Sequence, residues 1–258
     1  MTASDPLAPR YAVDKKMIFP IMSNFDTYNL RARVAPVFVV LIPVIVAVTA
    51  WVPEGLSLKL GSAAVIVSVG LSMLVGQLGR DFGKRKEPAL WKSWDGPPTT
   101  QFLRHRDTKF NSVIRNRYHR CLKKLRPDLK IPTPEQEAKD AVVADQIYGA
   151  ASRYLIGATR DTKKFPLIFK ENVNYGFRRN LWGLKPVGLP IVALSMLICG
   201  LRLWISYQTS SNPSAESIAG IVINFALLLL WVFWITPSAV RIAAEAYAER
   251  LLEACEQL

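Results

Sequence analysis

The sequence predicts an all-α fold with four transmembrane helices and a basic helical cytoplasmic domain inserted between helices 2 and 3. Four apolar segments indicate the spans, namely 35–52, 56–76, 187–207 and 218–236. Each has about the 17–25 residues that cross a bilayer core of roughly 30 Å. The region between the second and third segments holds 24 of the 33 Lys and Arg residues and shows no alternating strand pattern of useful length.

Residues 1–34 are predicted to form a cytoplasmic N-terminal segment. They are largely polar and carry five basic residues, so no signal peptide is expected and the spans themselves would direct insertion. The two predicted outer connections, 53–55 and 208–216, contain no Lys or Arg. Because short cytoplasmic flanks collect basic residues, both termini and residues 77–186 are predicted to face the cytoplasm.

Spans one and two, within 35–76, and spans three and four, within 187–237, hold little transport chemistry. Their polar side chains are Asn224, small hydroxyls and the near-terminal Lys59 and Arg202, which disfavours an ion-coupled carrier. Small residues in the second span allow helices to approach closely and favour a homo-oligomer that could form a pore. These residues are Gly61, Ala63, Ala64, Ser68, Gly70 and Ser72.

The basic domain, 77–186, carries the whole net charge of the chain, +13, since the remaining residues are balanced. Such a domain can bind anionic lipid beneath the inner leaflet. A soluble anionic ligand such as a nucleotide or oligonucleotide is the sharper alternative, and both stay open.

Four helices are predicted inside this domain. Apolar periodicity predicts an amphipathic helix over 108–126, and the sequence TPEQ at 133–136 predicts a helix start whose apolar stripe, interrupted at Asp145, continues to about Gly157. Another helix, 166–182, leads into span three after Gly183 and Pro186. Thr99 and Thr100 are expected to cap a helix that begins near Gln101.

Two segments outside this periodicity, 91–107 and 171–180, mix cationic, amide and aromatic side chains. Arginine forks bind phosphate and aromatic rings stack on bases, so these segments are predicted to bind the anionic ligand. The chosen residues are Arg104, His105, Arg106, Tyr175, Arg178, Arg179 and Asn180. The alternative is that they form a polar joint between domain and membrane.

No catalytic residue, metal site or cofactor is predicted. The three cysteines are isolated in sequence and the only histidines are His105 and His119, which is too few for a multi-histidine centre. A lipid-modifying enzyme built around His105 and Asp107 is the weakest alternative, because no nucleophile motif accompanies them.

Pro237 is expected to kink the chain before a cytoplasmic helix at 238–258. Its polar face carries Glu245, Glu249, Glu253 and Glu256. This acidic helix is therefore expected to dock on the basic domain.

Three motifs resemble a family of uncharacterised bacterial four-span membrane proteins: KEPALW at 86–91, GPPTT at 96–100 followed by LRHRD at 103–107, and YGFRRN at 175–180. The resemblance implies a bacterial inner-membrane location and a role as a membrane effector in antiviral (anti-phage) defence. It also implies a nucleotide-producing enzyme as partner, and no catalytic residues.

The function expected from the sequence is an oligomeric inner-membrane effector or channel gated by an anionic ligand on its cytoplasmic domain. The alternative is a membrane-anchored scaffold that docks a protein or nucleic acid at the inner leaflet.

Overall fold

The computed structural model describes residues 28–51, 76–210 and 215–258, and 82% of these residues are helical. This part of the chain contains no strand, so the predicted all-α fold class is confirmed. The helices are α1 (Ala35–Thr49), α2 (76–93), α3 (Pro98–Gln101), α4 (Ser112–Leu125), α5 (Pro134–Lys139), α6 (Ala141–Ala158), α7 (Pro166–Ser210), α8 (Ala215–Leu229) and α9 (Pro237–Glu253). The π-helical turn Asn29–Val34 precedes α1, and the π-helical turn Leu230–Trp234 continues α8. The 3-10 turn Ala254–Glu256 follows α9.

Three stretches are long and apolar enough to cross a membrane: Leu30–Thr49, Pro166–Thr209 and Ala215–Trp234. Their most apolar windows have mean hydropathies of 2.3, 1.9 and 2.2, yet a third or less of each window is buried inside the protein. Apolar surface left exposed on such helices fits a lipid environment. The predicted span 56–76 lies, apart from Gly76, outside the described residues.

These stretches form an apolar bundle of α1, the C-terminal half of α7, and α8. Trp51 at the end of α1 donates from Nε1 to the Ile198 carbonyl oxygen at 3.3 Å, while Ala32 at its other end lies beside Gly176, so α1 and α7 run parallel. Helix α8 runs antiparallel to both. Side chains from all three helices fill the interior, including Val37, Val40, Leu181, Leu184, Val192 and Trp231.

Helix α2 crosses α7 where two glycines meet. A Cβ atom on Gly183 would lie 2.5 Å from the Gly83 nitrogen, and a Cβ atom on Gly83 would lie 2.6 Å from Asn180 Oδ1. Two backbones this close leave no room for any side chain. At the start of α2, Gly76 faces the Arg33 backbone, so α2 begins at the same end of the bundle as α1.

The remaining helices form a helical head, made of α3 to α6, the first turns of α7, and α9. Its core joins Leu103, Leu122, Tyr148 and Leu155 to Leu251 and Leu252. The expected docking of the acidic C-terminal helix is confirmed, because Lys109 Nζ lies 2.9 Å from Glu249 Oε1 and Arg117 pairs with Glu256.

The N-terminal ends of the helices follow the predicted capping chemistry in one case and depart from it in another. Thr133 and Gln136 form the predicted capping box of α5. The single helix predicted from there to Gly157 is wrong, because Asp140 accepts a hydrogen bond from the Val143 N–H at 2.9 Å and caps a second helix, α6. An Asp at this position satisfies the new N-terminus and interrupts the first helix.

Prolines and threonines mark three further positions along the chain. The chain bends at 235–236 and Pro237 then begins α9 behind the N-cap Thr236, so the expected break lies just before this helix. Pro186 does not separate two helices, since α7 is unbroken from Pro166 to Ser210, and prolines are tolerated inside membrane helices. The helix predicted to begin near Gln101 is α3, which ends there; Thr99 and Thr100 lie inside it.

Candidate functional site

A cavity of about 990 Å³ lies where the helical head meets the apolar bundle, and we call it the junction cavity. Helices α2, α6, α7 and α9 and the turn before α3 surround it. Its charged lining residues are Lys84, Glu87, Arg104, Asp145, Arg153 and Arg179, and its aromatic ones are Trp91, Tyr175 and Tyr247.

The two segments predicted to bind a ligand both reach this cavity. Arg104 comes from the first segment, and Tyr175 and Arg179 come from the second. The fold therefore brings together three of the seven predicted residues, although they are about 70 positions apart in the chain.

Arg104 is already held by protein carboxylates. Its Nε and Nη2 donate to the two oxygens of Asp145 at 2.8 and 2.7 Å, and its Nη1 donates to Asp95 Oδ2 at 2.6 Å. The side chain is only 6% exposed. A two-pronged pair of this kind fixes the guanidinium in place, so Arg104 shapes the wall of the cavity and has no free donor nitrogen for a ligand.

Glu87 organises the opposite wall. Its Oε1 accepts from the Tyr175 hydroxyl at 2.5 Å and from Arg179 Nη1 at 2.9 Å. The Arg179 guanidinium lies 5.5 Å from the centre of the Tyr175 ring, and that ring stacks on Tyr247. The carboxylate thus joins α2 to α7, and the stacked tyrosines join α7 to α9.

Arg106 lies outside the cavity lining, in a network centred on Glu137. The carboxylate of Glu137 accepts bonds from the His105 N–H at 2.7 Å, from Arg106 Nη1 at 2.9 Å and from the Tyr148 hydroxyl at 2.7 Å. Burial raises the pKa of Glu137, but these bonds outweigh burial and hold its pKa below the usual value. Glu137 is therefore an ionised structural group that anchors the loop after α3.

The other three predicted residues are placed elsewhere. Asn180 is 1% exposed and donates to the Ala32 carbonyl oxygen at 2.8 Å, so it fastens α1 to α7. Arg178 donates from Nη1 to the Ala239 carbonyl oxygen at 3.1 Å at the start of α9. His105 lines a separate groove on the head. For Asn180 and Arg178 these contacts are those expected of a polar joint, whereas His105 lies away from the bundle.

Sequence reasoning missed the cations with the greatest freedom. Lys84 and Arg153 are exposed at the cavity and have no carboxylate partner within 28–51, 76–210 and 215–258. Both lie on regular helix faces, where a basic residue usually indicates only a solvent-exposed position. Asp145 did leave a signal, because it interrupts the apolar stripe of α6 on the side that faces the core.

The turn that closes the cavity has a special backbone. Asp95 and Gly96 have φ angles of 66° and 116°, and Gln101 Nε2 donates to the Gly96 carbonyl oxygen at 2.7 Å. A residue other than glycine would be strained at the second position. In the described part of the chain, no three His, Cys, Asp or Glu side chains are grouped so that they could hold a metal ion.

Within the described residues, the fold and the site define an all-helical arrangement with three helices able to cross a membrane and a cavity with charged and aromatic lining residues at the base of the apolar bundle. Comparison with known protein families, curated proteins and solved structures finds no match. The resemblance to four-span defence effectors therefore rests on the three short motifs alone.

Proposed function

We propose that the protein is a four-span effector of the bacterial inner membrane in which an anionic ligand of the nucleotide class binds in the junction cavity and changes the state of the bundle. The observation that carries this proposal is the continuity of α7. This 45-residue helix presents Tyr175 and Arg179 to the cavity and then runs through the apolar bundle without a break. Occupancy of the cavity can therefore act on the membrane helices directly.

A second contact couples α7 to α8 a short distance along α7 from Arg179. Lys185 Nζ donates to the carbonyl oxygens of Val232 and Ile235, at 3.1 and 2.8 Å, where the last turn of α8 ends. A tilt of α7 would change both bonds. Since a ligand shifts an equilibrium only by its difference in affinity for the two states, the cavity must change shape between them.

The four-span layout is supported by where the described chain ends lie. Trp51 is at the far end of the bundle, beside Ile198, whereas Gly76 is at the near end, beside Arg33. The sequence between them includes an apolar segment, 56–76, whose length matches a return crossing. Both α9 and the start of α1 lie at the head end, which supports the proposal that both termini and the head share the cytoplasmic side.

The ligand class follows from the lining. The Trp91 ring offers a stacking surface, the Glu87 carboxylate can accept a bond from a base or sugar, and Lys84 and Arg153 are available for phosphate. Anionic lipid competes for the same cations, because the cavity lies next to the bundle.

Any pore has to form between copies of the chain. The interior of the bundle is filled by side chains such as Trp231, which is fully buried, so these helices enclose no path within one copy. Homo-oligomers are the usual way for short chains to surround a conduction path.

Binding to the purified full chain tests the proposal. We expect a nucleotide from a panel of linear and cyclic nucleotides to bind at low salt, and K84A/R153A to weaken binding at least tenfold. The control K163A/K170A removes the same charge away from the cavity and should bind normally. Equal loss in both variants, or no binding at all, would remove the nucleotide-class proposal. Binding with no change of conductance in reconstituted liposomes would favour the scaffold alternative.

A further inference from the structure

We propose a second anion-binding site on the helical head, in a groove between α4 and the segment 132–134, for the phosphate group of a small soluble phosphate ester. This distal groove has a volume of about 530 Å³. Its polar lining residues are His105, Asn116, His119, Arg120, Lys123 and Thr133. It does not depend on the junction cavity, with which it shares no lining residue.

The charge of the groove is what points to an anion. No Asp or Glu lines it, and Arg120 and Lys123 have no carboxylate partner among the described residues. On other faces of the same helix, Arg117 pairs with Glu256, and Arg115 donates to the Asp107 carbonyl oxygen at 2.6 Å. Arg115 and Arg117 are thus engaged within the protein, whereas Arg120 and Lys123 are left free at the groove.

The floor of the groove is rigid and polar. His119 Nε2 lies 2.7 Å from the Leu103 carbonyl oxygen, and His105 Nε2 lies 3.0 Å from the Pro132 carbonyl oxygen. A carbonyl oxygen can only accept, so each Nε2 carries hydrogen and donates. The two rings meet edge to face with centres 4.8 Å apart. Fixed rings beneath free cations form a site whose shape is set before the ligand arrives.

The two carboxylates near the groove, those of Glu135 and Glu137, already have partners within the protein. Glu135 follows the groove segment and is hydrogen bonded by Thr133, which holds it at the start of α5. Glu137 lies beneath the loop and its charge is matched by Arg106. A phosphate at Arg120 and Lys123 would therefore meet an arginine fork, a lysine point charge and the Asn116 amide.

The position of the groove separates a soluble ligand from a lipid headgroup. Helix α9 leads away from the bundle for 17 residues, which at 1.5 Å per residue is about 25 Å, and Glu256 beyond its end pairs with Arg117 of α4. Lipid headgroups next to the bundle would not reach this far. The expected occupant is a nucleotide-sized phosphate ester from solution.

The test uses the full chain in detergent with inorganic pyrophosphate and ATP as probes. We expect both to bind at low salt, and R120A/K123A to weaken pyrophosphate binding at least tenfold, while ATP can still occupy the junction cavity. The variant K163A/K170A is the matched control, because it removes the same charge away from both sites and should leave pyrophosphate binding unchanged. Failure of the groove appears as unchanged pyrophosphate binding in R120A/K123A, whereas failure of the junction cavity appears as unchanged nucleotide binding in K84A/R153A.

A second variant guards against a folding artefact. Asn116 is exposed, and N116D keeps its shape while placing a carboxylate in the groove, so it should weaken pyrophosphate binding without lowering the Tm. Unchanged binding in R120A/K123A, or no binding of either probe up to millimolar concentration, would overturn the proposal. Binding that is recovered only with vesicles of anionic lipid would overturn it as well.

Discussion

Asp145 shows how one side chain can position a whole site. Its two oxygens accept the Arg104 fork, and both lie within 3.2 Å of Arg106 Nη2. The carboxylate therefore ties the loop after α3 to the middle of α6 and sets the shape of the junction cavity. An arginine buried as deeply as Arg104 is tolerated only because this charge faces it.

We expect Asp145→Asn to lower the free energy of unfolding by about 2–4 kcal/mol, since it leaves a buried guanidinium without its main partner. The control is Asp128→Asn, which breaks the exposed Arg126–Asp128 pair and should change little. Thermal unfolding in detergent, followed by circular dichroism, measures both. Equal Tm values for the two variants would show that the Asp145 network does not stabilise the head.

His119 makes the stability of the head dependent on pH. Burial lowers the pKa of His119 to about 4. Between about pH 6.5 and pH 4 the unfolded chain binds the proton and the folded one does not, so stability falls as the pH falls through this window. The loss attributable to His119 is up to about 3 kcal/mol.

His119→Gln can still donate to the Leu103 carbonyl oxygen but does not titrate. We expect the Tm of this variant to fall less than that of the parent between pH 7 and pH 4, while the carboxylates, Glu137 included, contribute equally to both. Parallel Tm curves would show that His119 is not the titrating group.

At the scale of residues, the sequence predicted which segments approach the cavity but not which side chains stay free. Arg104 and Arg179 were chosen because they lie in motifs, and that same position gives them the partners Asp145 and Glu87. Pairing across α6 and α2 depends on tertiary contacts that spacing along the chain does not encode. Lys84 and Arg153 stay free because the carboxylates that line the same cavity, Glu87 and Asp145, pair with other arginines in the described structure.

At the scale of elements, the glycines of α7 divide it into packed and open faces. Gly183 touches the backbone of α2, and Gly188 faces the Trp231 ring of α8, whereas no described residue lies within 4 Å of the space beside Gly200. One helix therefore has close approaches at some glycines and an open position, among the described residues, at another. A matched pair of substitutions follows from this contrast.

Gly183→Ala should destabilise the protein by about 1–3 kcal/mol, because the added methyl group meets the backbone of α2 and cannot be accommodated by a side-chain rotation. Gly200→Ala adds the same methyl group to open space and should be neutral or slightly stabilising. Comparison of Tm values in one detergent checks both. A neutral Gly183→Ala would show that α2 and α7 do not cross this closely.

Helix positions were predicted well where hydrophobic periodicity is strong, and poorly where one residue sets a boundary. The amphipathic helix predicted at 108–126 is α4, and the capping box at Thr133 is as expected. The break at Asp140 was missed because an Asp can either cap a helix or lie within one. The hydrogen bond from the Val143 N–H to the Asp140 side chain, which the sequence does not reveal, shows that Asp140 caps α6. The continuity of α7 was missed because Pro186 is a strong terminator in water but not beside other apolar helices.

At the scale of the whole molecule, the described residues form an apolar bundle and a charged helical head. The head and α9 lie at one end of the bundle, and Trp51 and Arg202 lie together at the other, 5.6 Å apart between guanidinium and ring centre. This arrangement gives a direct test of the proposed orientation.

A cysteine introduced at exposed Tyr207, at the far end, should react with an impermeant maleimide added to intact cells, and one at Ser112, on the head, should not. The parent chain is the negative control and should not be labelled, since Cys199 and Cys255 are buried and Cys121 is on the head. Labelling at Ser112 alone would place the head outside the cell and reverse the proposed topology.

The last prediction is that the protein acts as an oligomer whose opening harms or silences the cell. A filled bundle cannot conduct by itself, and its outer surface is apolar, with Leu197 70% and Phe233 74% exposed, so copies can associate within a membrane at little cost. Overexpression without the regulating ligand should therefore depolarise the host.

Gly70→Leu, in the predicted second span, should relieve this depolarisation by spacing neighbouring helices apart. Expression at the parent's level would show that the variant still inserts. Gly200→Leu is the control that adds the same bulk at an open position of α7 in the described structure. A monomer in mild detergent, together with a membrane potential that stays intact under every nucleotide tried, would favour a scaffold, because a single copy offers a docking surface but no path across the bilayer.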